Sequence, residues 1–298
     1  MRIVFLFFVL LSVANVQAQE VEVAAGKVVR HSLFQSDFVD ARNVDVWLPD
    51  AYSNQKEYAV LYMHDGQMLY DAATTWNKQE WGVDEVMSEL MKSGHIGDCI
   101  VVGIHNIADK RNSEYFPQRA WQMLTKQEQD AILNKDEVLH NPAESAHGLL
   151  ADNYLRFIVR ELKPFIDANY STKTNKANTF IMGSSMGGLI SAYAICEYPG
   201  VFGGAICMST HWPAADGIVL NYIADNLPNP VTHRIYFDYG TATLDALYEP
   251  YQLKVDKLME ERGFVKGENF KTQKFEGAPH TEDAWKKRLH IPLVFMLQ

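Results

Sequence analysis

Apolar and polar positions change their period along this chain, and each period predicts a different element. Residues 21–34 and 44–48 alternate apolar and polar side chains, as strands with one buried face at an antiparallel edge do. Nearly continuous apolar runs are typical instead of strands buried on both faces. Such runs occupy residues 58–63, 100–104, 179–182, 205–208 and 235–237.

Segments with a helical period separate the predicted strands. They cover residues 83–92, 149–169, 187–198, 248–262 and 282–297. Strands that alternate with helices predict an α/β fold, with a mainly parallel central sheet flanked by helices on both faces. Residues 112–147 break this alternation. Their polar, charged sequence predicts either a solvated surface helix or a cap over an active site.

The first residues have the composition of an export signal. Met1–Arg2 is basic, residues 3–13 are apolar but too few to span a bilayer, and Ala18 ends a small-residue cleavage pattern. We expect a signal peptide over residues 1–18, cleaved after Ala18, with an uncleaved amphipathic anchor as the alternative. Residues 19–298 contain no linker and no segment apolar enough to span a membrane. They are therefore predicted to form a single secreted or periplasmic domain.

Charge and cysteine content limit the partners and the covalent framework. The formal net charge of −10 opposes binding to nucleic acid or to an anionic membrane. Cys99, Cys196 and Cys207 are too few for a disulfide framework, even in an oxidising compartment. Buried thiols are expected, with a Cys196–Cys207 bridge as the alternative.

The pentapeptide Gly183-Ser184-Ser185-Met186-Gly187 joins a predicted strand to a predicted helix. In a G-x-S-x-G elbow, glycines on either side allow a strained turn that lifts the central serine out of the sheet. The helix N-terminus then points at the reacting centre, where the Met186 N–H can stabilise an oxyanion. The pattern therefore predicts Ser185 as a catalytic nucleophile.

A serine nucleophile needs a general base, and chain order helps to identify it. In an elbow architecture the acid follows the serine on a later strand, and the histidine comes last. His280 lies in a loop directly after the strand-like segment 270–275, whereas His290 falls within the predicted terminal helix. His211 and His233 precede the expected acid. We therefore predict His280 as the base.

Three carboxylates are candidates for the acid that orients His280. Asp238 lies at the end of strand 235–237, where it could cap a turn. Asp245 lies in the loop beyond Gly240 and can approach the imidazole, whereas Glu249 begins a helix, where the helix dipole also favours an acid. We predict that Asp245 is the acid, with Glu249 and Asp238 as alternatives. The acid would fix the histidine tautomer and stabilise the imidazolium.

A second oxyanion donor is expected from the turn after strand 58–63. Gly66 in this turn lets a backbone N–H approach the substrate oxygen, so Gly66 or Gln67 is the predicted donor. The neighbouring His64 and Asp65 are expected to stabilise the turn. They do not occur in an H-x-H or H-E-x-x-H spacing, so neither a metal nor another cofactor is predicted.

These segments together resemble the secreted putative-esterase family of α/β-hydrolases, which includes feruloyl and acetyl-xylan esterases, esterase D, enterobactin-type esterases and mycolyltransferases. The resemblance implies an α/β-hydrolase fold with Ser185 as nucleophile and His280 as base. Many relatives place the acid three residues after the glycine of a Gly-Thr pair, where this chain has Thr243, and some manage with a dyad. The matching segments are His64–Gln67, Val101–Ile104 with Arg111 and Glu114-Tyr115, Gly183–Gly188, Gly240-Thr241, and His280 with Trp285.

Substrate clues come from aromatic and basic residues near the predicted rim. His211 and Trp212 follow a strand that ends at this rim, so they could line an acyl or aromatic pocket, or Trp212 could pack beneath a loop. Tyr115 could stack on a ring, and Arg111 could bind an anion. The chain is thus predicted to be a serine esterase acting on a small acyl or phenolic ester, including carbohydrate-linked esters. The alternatives are a siderophore esterase, an acyltransferase, a serine peptidase or a non-catalytic binding module.

Overall fold

A computed structural model of the chain describes residues 21–134 and 148–298. Eight strands form one sheet in the order β1-β2-β4-β3-β5-β6-β7-β8. The pairs β1–β2 and β2–β4 are antiparallel, and the remaining neighbouring pairs are parallel. The strands are β1 (Lys27–Phe34), β2 (Arg42–Leu48), β3 (Ala59–His64), β4 (Cys99–Ile104), β5 (Thr179–Ser184), β6 (Gly204–Met208), β7 (Arg234–Gly240) and β8 (Phe270–Phe275).

Helices cover both faces of this sheet, as the alternating pattern predicts. One buried cluster lies beneath α1, α10 and α11, and a second lies beneath the other helices. The α/β-hydrolase fold predicted from the sequence is therefore confirmed. The helices are α1 (Val83–Lys92), α2 (Arg111–Tyr115), α3 (Gln118–Gln122), α4 (Lys126–Leu133), α5 (Ala151–Phe157), α6 (Lys163–Asn169), α7 (Met186–Glu197), α8 (Val219–Asn226), α9 (Glu249–Glu261), α10 (Glu282–Lys286) and α11 (His290–Leu297).

Parallel strands bring distant chain segments to one edge of the sheet. The loops after β3, β5, β7 and β8 all begin at the carboxyl ends of neighbouring strands. In open α/β sheets ligands bind at this edge. Asp65, Ser185, Asp245 and His280 lie in these four loops or at their ends, so the topology gathers residues that lie up to 215 positions apart.

The terminal helix differs from its prediction. Residues 282–297 form two helices, α10 and α11, separated by a turn. The turn includes Arg288, whose buried guanidinium pairs with Asp238 at 2.8 Å. The helical period of residues 282–297 continues through position 288, so the sequence pattern alone does not reveal the Arg288–Asp238 ion pair. His290 is exposed at the start of α11, not packed as its apolar neighbourhood suggests.

The charged segment 112–147 is described only as far as residue 134. Its helices α2 and α3 bury Tyr115, Phe116 and Trp121 in the larger core cluster. Helices α2 and α3 are therefore packed into the fold, whereas α4, in the charged part of the segment, is a largely exposed helix in which Ile132 is the buried residue. None of its described residues lines the cavity beside Ser185. Residues 135–147 lie outside the described part of the chain.

Two further sequence predictions concern covalent and membrane features. Cys99, Cys196 and Cys207 are buried free thiols, so the Cys196–Cys207 bridge is not formed, and burial raises the pKa of each. Within residues 21–134 and 148–298, no helix is long and apolar enough to cross a membrane. The predicted signal peptide, residues 1–18, lies outside the described residues.

Candidate active site

Ser185 occupies a sharp turn between β5 and α7. Its backbone has φ 57° and ψ −122°, a combination that L-residues rarely adopt and that costs about 1–3 kcal/mol. The Ser185 N–H donates to the Met208 carbonyl at 3.0 Å, and the Ser185 carbonyl accepts from the His211 N–H at 3.1 Å. Since α7 begins at Met186, the Met186 N–H belongs to the first helical turn, which lacks intrahelical acceptors.

Two glycines of the elbow region, Gly183 and Gly188, have close neighbours where a side chain would lie. A Cβ atom at Gly183 would lie 2.7 Å from the carbonyl carbon of Gly187, and one at Gly188 would lie 2.9 Å from Thr210 Oγ1. A Cβ atom does not fit at 2.7 Å from a backbone carbon, so any side chain at position 183 would force β5 or α7 to shift. Glycine at position 183 is therefore a packing requirement of this turn, whereas a Cβ atom at Gly187 would meet its nearest atom, the His64 Cβ, at an ordinary 3.5 Å.

Gly183→Ala should destabilise the protein by about 2–4 kcal/mol, because the new methyl group overpacks the β5–α7 contact. Urea unfolding monitored by circular dichroism measures the loss. Gly200→Ala is the matched control, since a Cβ there meets no atom within 4 Å. Equal stabilities of the two variants would contradict the packing argument.

His280 is held by Asp245 in the next loop along the sheet edge. The His280 Nδ1 atom lies 2.5 Å from Asp245 Oδ1. An Nδ1–H that donates to a carboxylate leaves the Nε2 lone pair available as a base. The His280 N–H also donates to Thr243 Oγ1 at 2.8 Å, so both backbone and ring are anchored to the loop after β7.

Asp245 is fully buried but surrounded by donors. Its Oδ2 atom accepts from the Gly240 N–H and from the Ser209 hydroxyl, both at 2.6 Å. Burial alone would raise the pKa of Asp245, but the contacts with His280, Ser209 and Gly240 lower it below its ordinary value. The carboxylate therefore stays ionised beside the imidazole at neutral pH.

The lowered pKa of Asp245 has a consequence for acid stability. Interactions of its carboxylate stabilise the fold above the unfolded-state pKa of about 4 and are lost as the pH falls through the lower folded pKa. We expect Asp245→Asn to be less stable than wild type at neutral pH, and the difference to shrink below about pH 4. Urea unfolding from pH 2 to 7 measures this. A difference that persists undiminished at pH 2 would contradict it.

Behind Asp245, Ser209 is held by two side chains that were not predicted from the sequence to support the acid. The Ser209 hydroxyl accepts from Trp285 Nε1 at 3.0 Å and from Arg288 Nη2 at 2.8 Å. Arg288 also donates to Asp238 at 2.8 Å, and its guanidinium lies over the Phe275 ring. These contacts fix the donor that Ser209 offers to Asp245. The only sequence signal was Trp285, five residues after His280.

The other two candidate acids have different partners. Asp238 is buried against Arg288, and burial raises its pKa to about 6 although Arg288 beside it acts in the opposite direction. Glu249 lies at the start of α9, where it pairs with Lys274 at 3.1 Å on the surface. Of the three candidates, Asp245 is the one hydrogen-bonded to His280.

The turn after β3 forms the facing wall of the site. Asp65 has a left-handed backbone (φ 57°), and a Cβ atom at Gly66 would lie 2.6 Å from the Gly103 carbonyl carbon. Gln67 lines the cavity, and its Oε1 accepts from the Asn106 N–H at 3.1 Å. The turn therefore lies directly against β4, with Gln67 on the same cavity as Ser185.

Arg111 neutralises the acid of this turn. Two guanidinium nitrogens donate to the Asp65 carboxylate at 2.8 and 2.7 Å. Burial would raise the pKa of Asp65, but Arg111 and Asn106 lower it. The preceding His64 donates to or accepts from Tyr154 at 2.8 Å, and burial lowers its pKa to about 3, so it is neutral. His64 and Asp65 thus stabilise the turn, as expected.

A cavity of about 900 Å³ connects these elements. It contains Ser185 and His280, with Gln67 and Arg111 on one side and Trp76 and Trp285 on another. Trp76 is 83% exposed. In the described part of the chain, no group of three or more His, Cys, Asp or Glu residues is placed to hold a metal ion.

Three predicted substrate-contacting residues lie outside this cavity. His211 and Trp212 are fully buried. Trp212 lies beneath α9 and donates its indole N–H to Gln252 at 2.8 Å. Tyr115 is buried between His64 and Tyr154, and its hydroxyl accepts from the Asp65 N–H. Their prediction as pocket residues is therefore wrong, because all three side chains are buried in the fold and none lines the cavity. For Trp212, the alternative of internal packing is confirmed. Arg111 does line the cavity.

Comparison with known proteins places this chain in a family. The sequence model described as Putative esterase matches residues 37–293, which is most of the chain. The chain belongs to the putative esterase family. Membership supports a carboxylic ester hydrolase, in agreement with the resemblance found in the sequence.

Individual relatives of this esterase are distant. The uncharacterized protein YjcH of Bacillus subtilis is 24% identical over 223 residues, covering 74% of this chain and 75% of its own. A ferulic acid esterase from the anaerobic fungus Anaeromyces mucronatus superposes with a TM-score of 0.63 at 16% identity, covering 93% and 91% of the two chains. An IroE-like serine hydrolase from Shewanella oneidensis superposes at 0.62 with 19% identity, covering 91% and 79%. The two structures support the fold.

Proposed function

We propose that this esterase cleaves carboxylic esters through a covalent acyl-enzyme formed on Ser185. The observation that carries the proposal is that Ser185, at its strained elbow, lines the same cavity as His280, whose Nδ1 atom is hydrogen-bonded to the buried Asp245. A nucleophile, a base and an acid that orients the base are the parts that serine hydrolysis needs. The elbow strain holds the hydroxyl at the cavity, where a substrate carbonyl can reach it.

In the proposed reaction, the Ser185 oxygen attacks the ester carbonyl while His280 Nε2 takes the serine proton. The resulting imidazolium is stabilised by the Asp245 carboxylate and then protonates the leaving alkoxide, so the C–O bond breaks and the acyl group stays on Ser185. Water attacks the acyl-enzyme by the same steps, with His280 again as base. The carboxylic acid leaves and Ser185 regains its proton.

The oxyanion of each tetrahedral intermediate needs preorganised donors. The Met186 N–H at the start of α7 is the proposed first donor, and the Gly66 or Gln67 N–H in the facing turn is the proposed second. Both segments are held by close glycine contacts, Gly183 to Gly187 and Gly66 to Gly103. Rigid donors of this kind cost no reorganisation when charge develops on the oxygen.

The cavity supports esters of phenolic acids or of sugars as the substrate class. Trp76 is exposed on a loop that is tied down by a hydrogen bond from Asn77 to Glu282 at 2.7 Å and by an ion pair of Lys286 with Glu80 at 2.8 Å. An exposed indole on an anchored loop is suited to stack on a planar or sugar ring. Arg111 is paired with Asp65, which makes the cavity a poor fit for an anionic ferric siderophore.

A substrate panel with purified protein tests this function. We expect hydrolysis of aryl acetates and of feruloylated or acetylated sugars, at higher rates than siderophore esters or peptides, and labelling of Ser185 by a fluorophosphonate probe. Peptide turnover without ester turnover would indicate a peptidase. Acyl transfer to an added sugar that outpaces hydrolysis would indicate an acyltransferase. Neither labelling nor turnover would indicate a binding module and contradict the proposal.

A further inference from the structure

A buried phenol lies beside the proposed nucleophile without a role in the mechanism above. Tyr248, just before α9, is fully buried, and the Ser185 side chain lies close enough to its hydroxyl to lower the pKa of the phenol. The same hydroxyl lies 2.7 Å from Nδ1 of His211, which is also fully buried. The Tyr248 ring meets His211 and His280 edge-on, with centroids 5.7 and 5.8 Å away. The phenol is thus hydrogen-bonded to His211, packs against His280 and lies beside Ser185.

Backbone hydrogen bonds fix this pair relative to the proposed triad. The His211 N–H donates to the carbonyl of Ser185 at 3.1 Å. The Tyr248 N–H donates to the carbonyl of Asp245 at 3.0 Å. One member of the pair is therefore tied to the nucleophile's residue and the other to the acid's residue. A shift of either would move the phenol relative to Ser185.

We propose that the His211–Tyr248 pair positions the Ser185 hydroxyl so that its proton is directed to His280. This inference rests on the proposed function. When His211 Nδ1–H donates to the phenol oxygen, the phenol O–H donates to Ser185 Oγ, and the serine proton is left for His280. In the reverse direction Ser185 would donate to Tyr248, and its proton would be withheld from the base. The tautomer of His211 selects between these two arrangements.

The acyl-enzyme requires the same direction. Once acylated, Ser185 Oγ has no proton and can only accept a hydrogen bond. A phenol that donates to Oγ keeps this hydrogen bond in the free enzyme and in the acyl-enzyme. A phenol that donates to His211 and accepts from Ser185 keeps only the His211 bond after acylation. Loss of a buried hydrogen bond is costly. Burial also keeps the phenol protonated, since it raises the pKa of Tyr248 well above its ordinary value.

Two positions offer variants that separate this role from packing. Tyr248→Phe removes the phenol hydroxyl and keeps the ring. His211→Asn keeps an N–H donor near the place of Nδ1, whereas His211→Leu removes it. Tyr193→Phe is the matched control, because Tyr193 is equally buried on α7 and donates to Asp152 at 2.6 Å, away from the cavity. Melting temperatures of all four variants report any common loss of folding.

The measured quantities are the rate of Ser185 labelling by a fluorophosphonate and kcat and KM for an aryl acetate. We expect Tyr248→Phe and His211→Leu each to lower the labelling rate and kcat about 10- to 100-fold, the effect of one hydrogen bond to a developing charge, with KM nearly unchanged. The double variant should lose no more than either single one. His211→Asn should retain most of the rate, and Tyr193→Phe all of it.

Wild-type labelling and kcat in Tyr248→Phe would overturn the inference. So would equal losses in His211→Asn and His211→Leu, since packing alone would then explain the effect. If the wild-type protein neither labels nor hydrolyses esters, the proposed function fails, and this inference fails with it. A labelled, active wild type with an unimpaired Tyr248→Phe overturns the positioning role alone.

Discussion

Ser185→Ala should lower kcat for ester hydrolysis by about 10³- to 10⁶-fold. The alanine methyl group cannot form the acyl bond on which every later step depends. Binding should survive, because the cavity walls and the oxyanion donors are unchanged. Steady-state hydrolysis of an aryl acetate, corrected for background, measures the loss. Isothermal titration with the acid product shows whether binding remains.

The control for this variant is a second serine on the same helix. Ser191 is buried on α7, and its hydroxyl donates to the Gly187 carbonyl at 2.7 Å, so Ser191→Ala also removes a buried hydroxyl. We expect it to keep turnover within about threefold of wild type. Near-wild-type rates in Ser185→Ala would show that the nucleophile lies elsewhere.

Asp245→Asn should lower kcat by about 10³- to 10⁴-fold, as loss of the orienting acid does in serine hydrolases. The amide cannot hold His280 with a proton on Nδ1 and a lone pair on Nε2, and it cannot stabilise the imidazolium. It is also a poorer acceptor for Gly240 and Ser209, which donate to Asp245 at 2.6 Å. The pH dependence of kcat/KM before and after the substitution measures the effect on the base.

Glu249→Gln is the matched control, because it also replaces a carboxylate by an amide in the segment after β7. Glu249 pairs with Lys274 at the surface, so we expect less than about a threefold change in kcat. A small loss in Asp245→Asn with a large loss in Glu249→Gln would transfer the role of the acid. Equal small losses would favour a Ser185–His280 dyad.

Local patterns predicted most of the fold. Continuous apolar runs located β3 to β7 within one to three residues at each end, because strands buried on both faces leave a direct signal in the sequence. Helix α1 was predicted at residues 83–92, where it occurs. Helix α8 was missed, although Val219, Leu220 and Ile223 give it an apolar face. It follows a kink at Ala215 and Asp216 whose positive φ angles no local pattern reveals.

The candidate site was predictable where chain order determines it. Ser185, Asp245 and His280 were selected as a serine between strand and helix, an acid after a later strand and a final histidine, and the parallel sheet brings those loops to one edge. Their catalytic roles stay predictions. Chain order, however, identifies only the loops that carry these residues. It does not show which atoms are in contact. Ser209 and Arg288 support Asp245 through contacts across 36 and 79 positions of sequence separation.

Aromatic residues were the hardest to place from sequence. His211 and Trp212 were predicted to line a pocket because they follow a strand end, with packing of Trp212 as the alternative, and Tyr115 was predicted to stack on a ring. Packing beneath α9 and against Tyr154 buries them. The sequence does not distinguish an aromatic side chain that lines the cavity from one that is buried beside it. The Tyr248 contact with Ser185 joins residues 63 positions apart and was likewise not foreseen.

Direct detection of the acyl-enzyme tests the central claim. The protein is mixed with an excess of an aryl acetate, quenched in acid within milliseconds, digested and analysed by mass spectrometry, with Ser185→Ala treated in parallel. The account predicts that the mass of the peptide containing Ser185 increases by one acetyl group in the wild type and not in the variant. Hydrolysis in the wild type with the acetyl group on another residue, or an equal modification of Ser185→Ala, would contradict it.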